Sequence, residues 1–321
     1  MCIALISTAH PSYSLIVINN RDEFLHRPTS PPDWWPEPAS HVLGSRDLAR
    51  ATHGTWMGVT KQGKIAVLTN YREESTSQAI GVYSRGLIVN SWLTGAPDKP
   101  EPTKEFVQGI VASPEAKHVG GFSLVCGHIN EPLAIVSNRS SDMDNITWVA
   151  TEKNQTLGLS NTSFDDRTWP KIIDGEKLME AAIQEHVEKE DEDEDALIDR
   201  LLQVLCSDTL PRLSEENATI ESYIHVLQKS IFVPLIGAAD DRDRAVETMA
   251  AARVEDEVDT PTNGPPNESY TRGSYGTQKQ TILLARPDGR VRYFERTLYD
   301  NDAKAVPIGQ GDHSFEFNIT P

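Results

Sequence analysis

The residues with the clearest chemistry lie at the start of the chain: Cys2, and the cluster Asn19-Asn20-Arg21-Asp22-Glu23. Removal of Met1, common in cells when the second residue is small, leaves a cysteine with both a thiol and a free α-amine. An α-amine titrates near pH ~8 and a thiol near ~8.5, so the amine can take the thiol proton at neutral pH and create a nucleophile. Arg21 then favours the thiolate and Asp22 holds the ammonium. The alternative is a small apolar strand residue, because free cysteine is among the most buried types. Arg21 would then pair with Asp22 or Glu23 and lock the strand exit.

The elements around these residues position them. The run Ile3-Ala4-Leu5-Ile6-Ser7, the break His10-Pro11-Ser12 and the run Tyr13 to Ile18 read as a β-hairpin. A turn centred near Pro11 pairs residues whose numbers sum to about 22, which sets Cys2 opposite Asn20. Further hairpins are expected from Thr55–Val59 with Ile65–Asn70, Phe122–Ile129 with Leu133–Asn138, Ile146–Thr151 with Thr156–Asn161, and Gln280–Ala285 with Val291–Arg296. Helical spacing appears at Arg85 to Leu93, capped by Ser84, at Thr103 to Ala112, and after Trp169-Pro170 through Leu178, Ala182, Ile183 and His186. It returns through Leu197, Ile198, Leu201, Leu202 and Leu205, and again from Ser214 to before Ser230. Strand hairpins alternating with blocks of helices specify an α+β domain of two sheets packed face to face with helices outside.

Four strands deliver an asparagine at their exits: Asn20, Asn70, Asn138 and Asn161. Asparagine is poor inside a strand and good where the backbone departs, so each has a local structural explanation. Together they suggest a polar rim, and an amide there can donate to a developing oxyanion in acyl transfer. Asn70 and Asn161 are the first candidates for that role. Tyr71 and Arg72 follow Asn70 directly and offer a phenol and a guanidinium to an anionic ligand.

The chain has 321 residues, 38% of them hydrophobic, enough for a full core, and a formal net charge of −18. That charge argues against nucleic acid or an anionic membrane as the main partner. The acidic run at 188–195 and the polar, Pro/Gly-bearing stretch at 239–274 read as solvated inserts in one domain spanning 1–321. Three cysteines suit a reducing compartment, and the N-terminus lacks the pattern of a signal or transit peptide. A cytoplasmic location with peripheral membrane contact is expected.

The ordered set Met1-Cys2-Ile3, Asn20-Arg21-Asp22-Glu23 with Arg27-Pro28-Thr29, Gly54-Thr55-Trp56, Leu68-Thr69-Asn70-Tyr71-Arg72, Ser84-Arg85-Gly86, Gly121-Phe122, Gly158-Leu159-Ser160-Asn161, Trp169-Pro170-Lys171 and Tyr275-Gly276-Thr277 resembles the NRDE family of transport-and-Golgi-organisation proteins. The resemblance implies a four-layer αββα sandwich like that of N-terminal-nucleophile hydrolases. It implies Cys2 as nucleophile, Arg21 and Asp22 as its partners, and Asn70 and Asn161 as oxyanion or substrate contacts. Asn20, Tyr71, Arg72 and Gln278 are the expected ligand contacts, for a small-molecule or lipid-like ligand, and the resemblance implies an association with mitochondria or the Golgi. No cofactor is required by that scheme, no metal is expected, and haem is a candidate bound ligand, for which His53 is the histidine to test. Two positions depart from the family pattern: Gln278 stands where an arginine is usual, and Ser123 where an asparagine is. Strand alternation turns Lys279 to the opposite face from Gln278, so it does not replace the missing arginine.

Overall fold

The structure, a computed structural model, describes every residue except 73–83, 97–100, 114–115, 117–118, 140–145, 190–192, 214–218, 238–272 and 321. The stretch expected as an insert at 239–274 lies outside the described residues up to 272, as do 214–218, where a helix start was expected.

One antiparallel sheet holds β1 (Ile3–Ser7), β2 (Leu15–Phe24), β10 (Thr156–Ser160), β11 (Tyr275–Ala285), β12 (Arg290–Thr297) and β13 (Asp312–Asn318), in the order β10-β1-β2-β11-β12-β13. The other runs β3-β4-β5-β6-β7-β8-β9, from Asp33–Trp34 and Val42–Gly44 through Met57–Thr60, Lys64–Asn70, Phe122–His128 and Leu133–Ser137 to Thr147–Val149. Period-two alternation divides each strand between two cores. Ala4, Ile6, Val17 and Leu283 face Met57, Val59, Val67 and Val125 across the sandwich. Ile3, Leu5, Ile16 and Ile18 turn outward to helices α3 (Pro170–Glu188) and α4 (Glu194–Leu205). Ala66, Leu68, Leu124 and Val136 turn outward to α1 (Gly86–Leu93) and α2 (Thr103–Ala112). The result is the expected αββα sandwich.

Several local expectations are corrected. The first hairpin pairs Ser7 with Ile16, so partner numbers sum to 23 rather than 22, and Asn20 faces Ile3. The cause is that eight residues separate the paired Ser7 and Ile16: Thr8 leaves to bond Gln155, and the chain turns at His10 to Tyr13 before β2 begins. The segments around 147–149 and 156–160 do not form a hairpin. β9 pairs with β8 in one sheet and β10 with β1 in the other, and left-handed Ala150 and Asn154 carry the chain across. Helix α1 has no side-chain cap; Ser84 contributes its carbonyl to Leu87 instead. Met179, not Leu178, fills the buried face of α3. After Thr219 the helical region is α5 (Ile220–Tyr223) and a short turn at Leu227–Lys229.

The acidic run is built into the fold at its C-terminal end. Asp193 caps α4 by accepting from the Ala196 N–H, and Glu194 and Asp195 occupy the first turn, where the helix dipole favours negative charge. Glu194 also draws in Arg286, Arg290 and Arg292 from the neighbouring sheet.

Candidate active site at the N-terminal edge of the sandwich

Continuing the two registers of β1 by one residue places Cys2 between Arg21 of β2 and Asn161 at the end of β10. All three share the parity of Ala4, Ile6 and Val17 and so face the space between the sheets. Met1 and Asp22 have the opposite parity.

Cys2 is 8% exposed, and its Sγ lies 3.7 Å from the Asp22 carbonyl oxygen. Burial pushes the thiol up from its ordinary range, opposed by the nearby N-terminal ammonium. That ammonium, on Met1, lies 3.1 Å from Asp22 Oδ2 and donates to the Tyr275 hydroxyl, which in turn donates to the Asp22 carbonyl. Asp22 Oδ1 accepts from Thr277 at 2.7 Å. Burial lowers the ammonium's pKa, with Asp22 working against that shift. The Met1 side chain packs among Trp169, Ile172, Tyr223, Val233 and Tyr275. With Met1 in place the α-amine is therefore one residue away from the thiol, and the thiol is held protonated.

Lys171, from the first turn of α3, is a site residue that sequence reasoning did not assign. It is 1% exposed, and Nζ donates to the carbonyls of Met1 at 2.5 Å and Cys2 at 3.2 Å. Burial lowers its pKa. Pro170 at the helix start fixes the turn that delivers it. The available signal was the motif Trp169-Pro170-Lys171, in which a lysine inside an apolar helix start needs a buried partner. Ser160 Oγ donates to the same Cys2 carbonyl at 2.6 Å.

Arg21 stacks on the Trp56 ring, 4.4 Å from its centre, and donates to Gln278 Oε1. Gln278 Nε2 in turn donates to the Leu25 carbonyl. An amide at 278 accepts what a second guanidinium could not, so this departure from the family pattern has a local partner. The bulge between Thr277 and Lys279 overturns the expected alternation: Lys279 sits across from Arg21 on the inner face. It still does not replace an arginine, because it is committed to Glu295 at 2.9 Å. Trp56 is brought to Arg21 by the loop after Gly54, where a Cβ would lie 2.9 Å from Gly86 Cα. Only glycines allow that approach, so the Gly54-Thr55-Trp56 and Ser84-Arg85-Gly86 motifs meet at one contact. Arg85 is near enough to feel the charges of Glu23 and Cys2, and burial brings its pKa down to about 10.

The asparagines divide. Asn161 Nδ2 donates to the Asn70 carbonyl at 2.5 Å, and the Asn161 carbonyl accepts from the Arg72 N–H at 2.7 Å. Asn70's own amide makes no hydrogen bond among the described residues, and on β6 it has the parity of Ala66 and Leu68, which turn outward to α1 and α2. Asn20 lies inside β2, facing α4, where its amide donates to the carbonyls of Leu205 and Ile231. That orientation takes it away from the thiol. Asn138 closes the loop before β7 by accepting from the Phe122 N–H and donating to Ala116. Ser123, the second departure from the family pattern, donates to the Thr162 carbonyl at 3.1 Å.

Beside Asn161 opens a pocket of about 550 Å³, lined by Tyr71, Arg72, Thr162, Asp166, Trp169 and His225 among others. Arg72 donates to His225 Nδ1 at 2.9 Å. Trp169 belongs both to this pocket and to the cluster around Met1. His53 lies elsewhere, in a left-handed turn whose carbonyl accepts from Arg46 and Asn90. Among the described residues no group of three His, Cys, Asp or Glu side chains is placed to hold a metal ion.

The fold and site define an α+β sandwich with a buried cysteine at residue 2. The chain belongs to the Transport and Golgi organisation 2 (TANGO2) family, whose profile matches residues 1–300. It is 28% identical over 302 residues to the human Transport and Golgi organization protein 2 homolog, covering 91% of this chain and 89% of that one. It is 25% identical over 317 residues to the Saccharomyces cerevisiae protein YGR127W, covering 94% and 93%. Among solved structures, the Caenorhabditis elegans N-acylethanolamine-hydrolyzing acid amidase ortholog is similar at 12% identity and a TM-score of 0.43, covering 71% of this chain and 98% of that one. A likeness at that score carries no inference about chemistry. No helix among the described residues is long and apolar enough to cross a membrane.

Proposed function

We propose that the protein uses Cys2 to hydrolyse or transfer the acyl group of an amide, thioester or ester of a small lipid-like molecule. The observation that carries this reading is the convergence of Arg21, Asp22, Lys171 and Asn161 on the Met1-Cys2 segment at the edge of the sandwich. Once Met1 is removed, the Cys2 α-amine takes the thiol proton, and the thiolate attacks the substrate carbonyl. The leaving nitrogen, sulfur or oxygen departs with the proton returned by the ammonium, and a thioester remains on Cys2. Water, or another acceptor, gives its proton to the amine and attacks the thioester, releasing the acid or transferred acyl group and restoring the thiol. In this reading Asn70 or Asn161 donates to the oxyanion in both halves.

The test is the intact mass of protein purified from cells, before and after a thiol-directed acylating probe, in wild type and Cys2→Ala. Loss of Met1 with a single adduct absent from Cys2→Ala is the expected outcome. Retained Met1, or labelling indifferent to Cys2, overturns the reaction.

A second reading rests on the pocket of about 550 Å³ beside Asn161, whose lining includes Trp169 and Ile224. In this reading the cleft acts as a carrier site for a lipid-like ligand or haem, with peripheral membrane contact or Golgi-linked transport as its setting. Saturable binding that survives Cys2→Ala, with Met1 retained, is its signature.

A further inference from the structure

Met1 occupies a slot whose wall and mouth differ in chemistry. Its side chain is buried among Trp169, Ile172, Tyr223, Val233, Ile236 and Tyr275. Methionine is unbranched, so from the carbonyl carbon the residue runs through Cα, Cβ, Cγ, Sδ and Cε in one line. At the mouth, the Met1 carbonyl takes the shorter of two hydrogen bonds from Lys171 Nζ, 2.5 Å against 3.2 Å to the Cys2 carbonyl. The amine is held apart from these, by Asp22 and Tyr275.

Cutting the Met1–Cys2 bond treats these contacts unequally. Asp22 passes to the new terminus on Cys2, but the wall loses its filler and Lys171 loses its nearer acceptor. Lys171 is 1% exposed, and its Nζ stands 6.0 Å from the Trp169 ring centre, at the limit of a cation–π contact. Among the described residues it keeps only the Cys2 carbonyl as a hydrogen-bond acceptor. A buried ammonium in that position calls for another acceptor. Water admitted there bonds Lys171 but leaves the apolar wall unsatisfied, so a ligand that covers both displaces it. Trp169 lines both the slot and the pocket beside Asn161, so the slot lies one side chain away from that opening.

We infer that, once Met1 is lost, its former position is a binding subsite for a short unbranched carbonyl compound, with the oxygen on Lys171 and the chain among Trp169, Ile172 and Val233. The inference rests on the loss of Met1 in the reading above and on no reaction at Cys2. With the peptide bond gone, the ligand carbonyl withdraws to about 3 Å from the new amine, so a chain of about five carbons replaces the line of methionine atoms. Met1 is then a built-in occupant, and a chain that keeps it has this subsite closed.

The test compares two forms of Cys2→Ala, one beginning at Met1 and one at residue 2, each released from a cleavable N-terminal fusion. Both are titrated with pentanamide while the Trp169 indole resonance, assigned with Trp169→Phe, is followed by NMR. The form beginning at residue 2 should bind about fivefold or more tightly than the form with Met1. It should prefer pentanamide by a similar factor over the branched isomer pivalamide, and over pentylamine, which brings a cation where an acceptor is needed. Lys171→Met should erase the preference over pentylamine, and Lys171→Arg should keep it. Equal binding by the two forms, or of pentanamide and pivalamide, overturns the slot; a preference over pentylamine that survives Lys171→Met overturns the carbonyl contact; an unmoved Trp169 overturns both. Met1 retained in cells, or an unlabelled Cys2, removes the proposed reaction and leaves this binding standing. A labelled Cys2 beside an unmoved Trp169 does the reverse.

Discussion

Two buried ion pairs lie on the same sheet, and they are built on different terms. Lys279 and Glu295 are both almost wholly buried, and every demand is met: Lys279 also donates to the Ser30 carbonyl and Thr297, while Glu295 accepts from Ser45, Thr281 and Tyr293. Met1 and Asp22 are as deeply placed, but the cationic member is a chain terminus that cleavage of one peptide bond removes. Charges taken out of water must be compensated where they sit. The first pair does this permanently, whereas in the second the cation passes from Met1 to the new terminus on Cys2 when that bond is cut. That difference separates a structural element from a candidate chemical one, although burial alone makes them look alike.

The sharpest break of the comparison is Lys279→Met, which leaves the buried Glu295 without its cation, with only the hydroxyls of Ser45, Thr281 and Tyr293 for partners. A loss of about 3–5 kcal/mol in stability is expected from urea unfolding, with most of it recovered in Lys279→Met/Glu295→Leu. The loss should be the same with and without Met1. Asp22→Asn should behave otherwise. With Met1 present it strands a buried ammonium and costs about 1–3 kcal/mol. Without Met1 the space vacated among Trp169, Val233 and Tyr275 admits water, and the cost should fall by about 1 kcal/mol or more. Equal costs in the two forms would mean that the Asp22 pair is as structural as the Lys279 pair.

Much of this contrast was legible in the sequence, because alternation and turn residues dictate the layers. The Cys2-Arg21-Asp22 grouping followed from one hairpin, and an error of one residue in its register still left the cluster together. What the alternation rule missed depends on events it does not contain. The bulge at Gln278 moved Lys279 to the inner face, and the crossing after Ala150 sent β9 and β10 to different sheets. β13 was readable and overlooked, for Phe315 and Phe317 alternate with exposed residues. Lys171 was hidden for another reason: its partners are backbone carbonyls, and a carbonyl leaves no mark in a sequence.

Lys171 sharpens the comparison by a smaller amount. Its ammonium is among the charges that lower the pKa of the present N-terminus, after burial and the opposing effect of Asp22. The amine exposed by Met1 loss lies one residue nearer. Lys171→Met should therefore raise that amine's pKa and move the rise of Cys2 labelling to higher pH, with labelling at pH 7 slowed several-fold. Lys171→Arg should restore the profile; a merely structural lysine would change the yield of folded protein and leave the profile where it was.

The smallest effect lies at the far end of the same hairpin, where charge is avoided instead of paired. The Ser12 N–H donates to His10 Nδ1 at 3.0 Å, so the His10 proton is on Nε2, facing His186 Nδ1 at 3.1 Å; His186 Nε2 then donates to the Asp193 carbonyl. Every position in this chain suits neutral rings. A proton on His10 Nδ1 would meet the Ser12 donor, and Arg286 adds repulsion while Glu194 is held by Tyr13 and three arginines. Burial first, then His186 and Arg286, bring His10 down to about 4. Its folded value is thus below its unfolded value near 6.5, so the unfolded chain binds more protons between those limits. The contribution to stability is complete above about pH 6.5 and is lost as pH falls towards about 4. Discounted for solvent screening, it amounts to about 1 kcal/mol between pH 7 and pH 5. Urea midpoints at the two pH values should show that loss in wild type and a smaller one in His10→Gln. If the variant loses as much, the neutral histidine chain is not what opposes acid there.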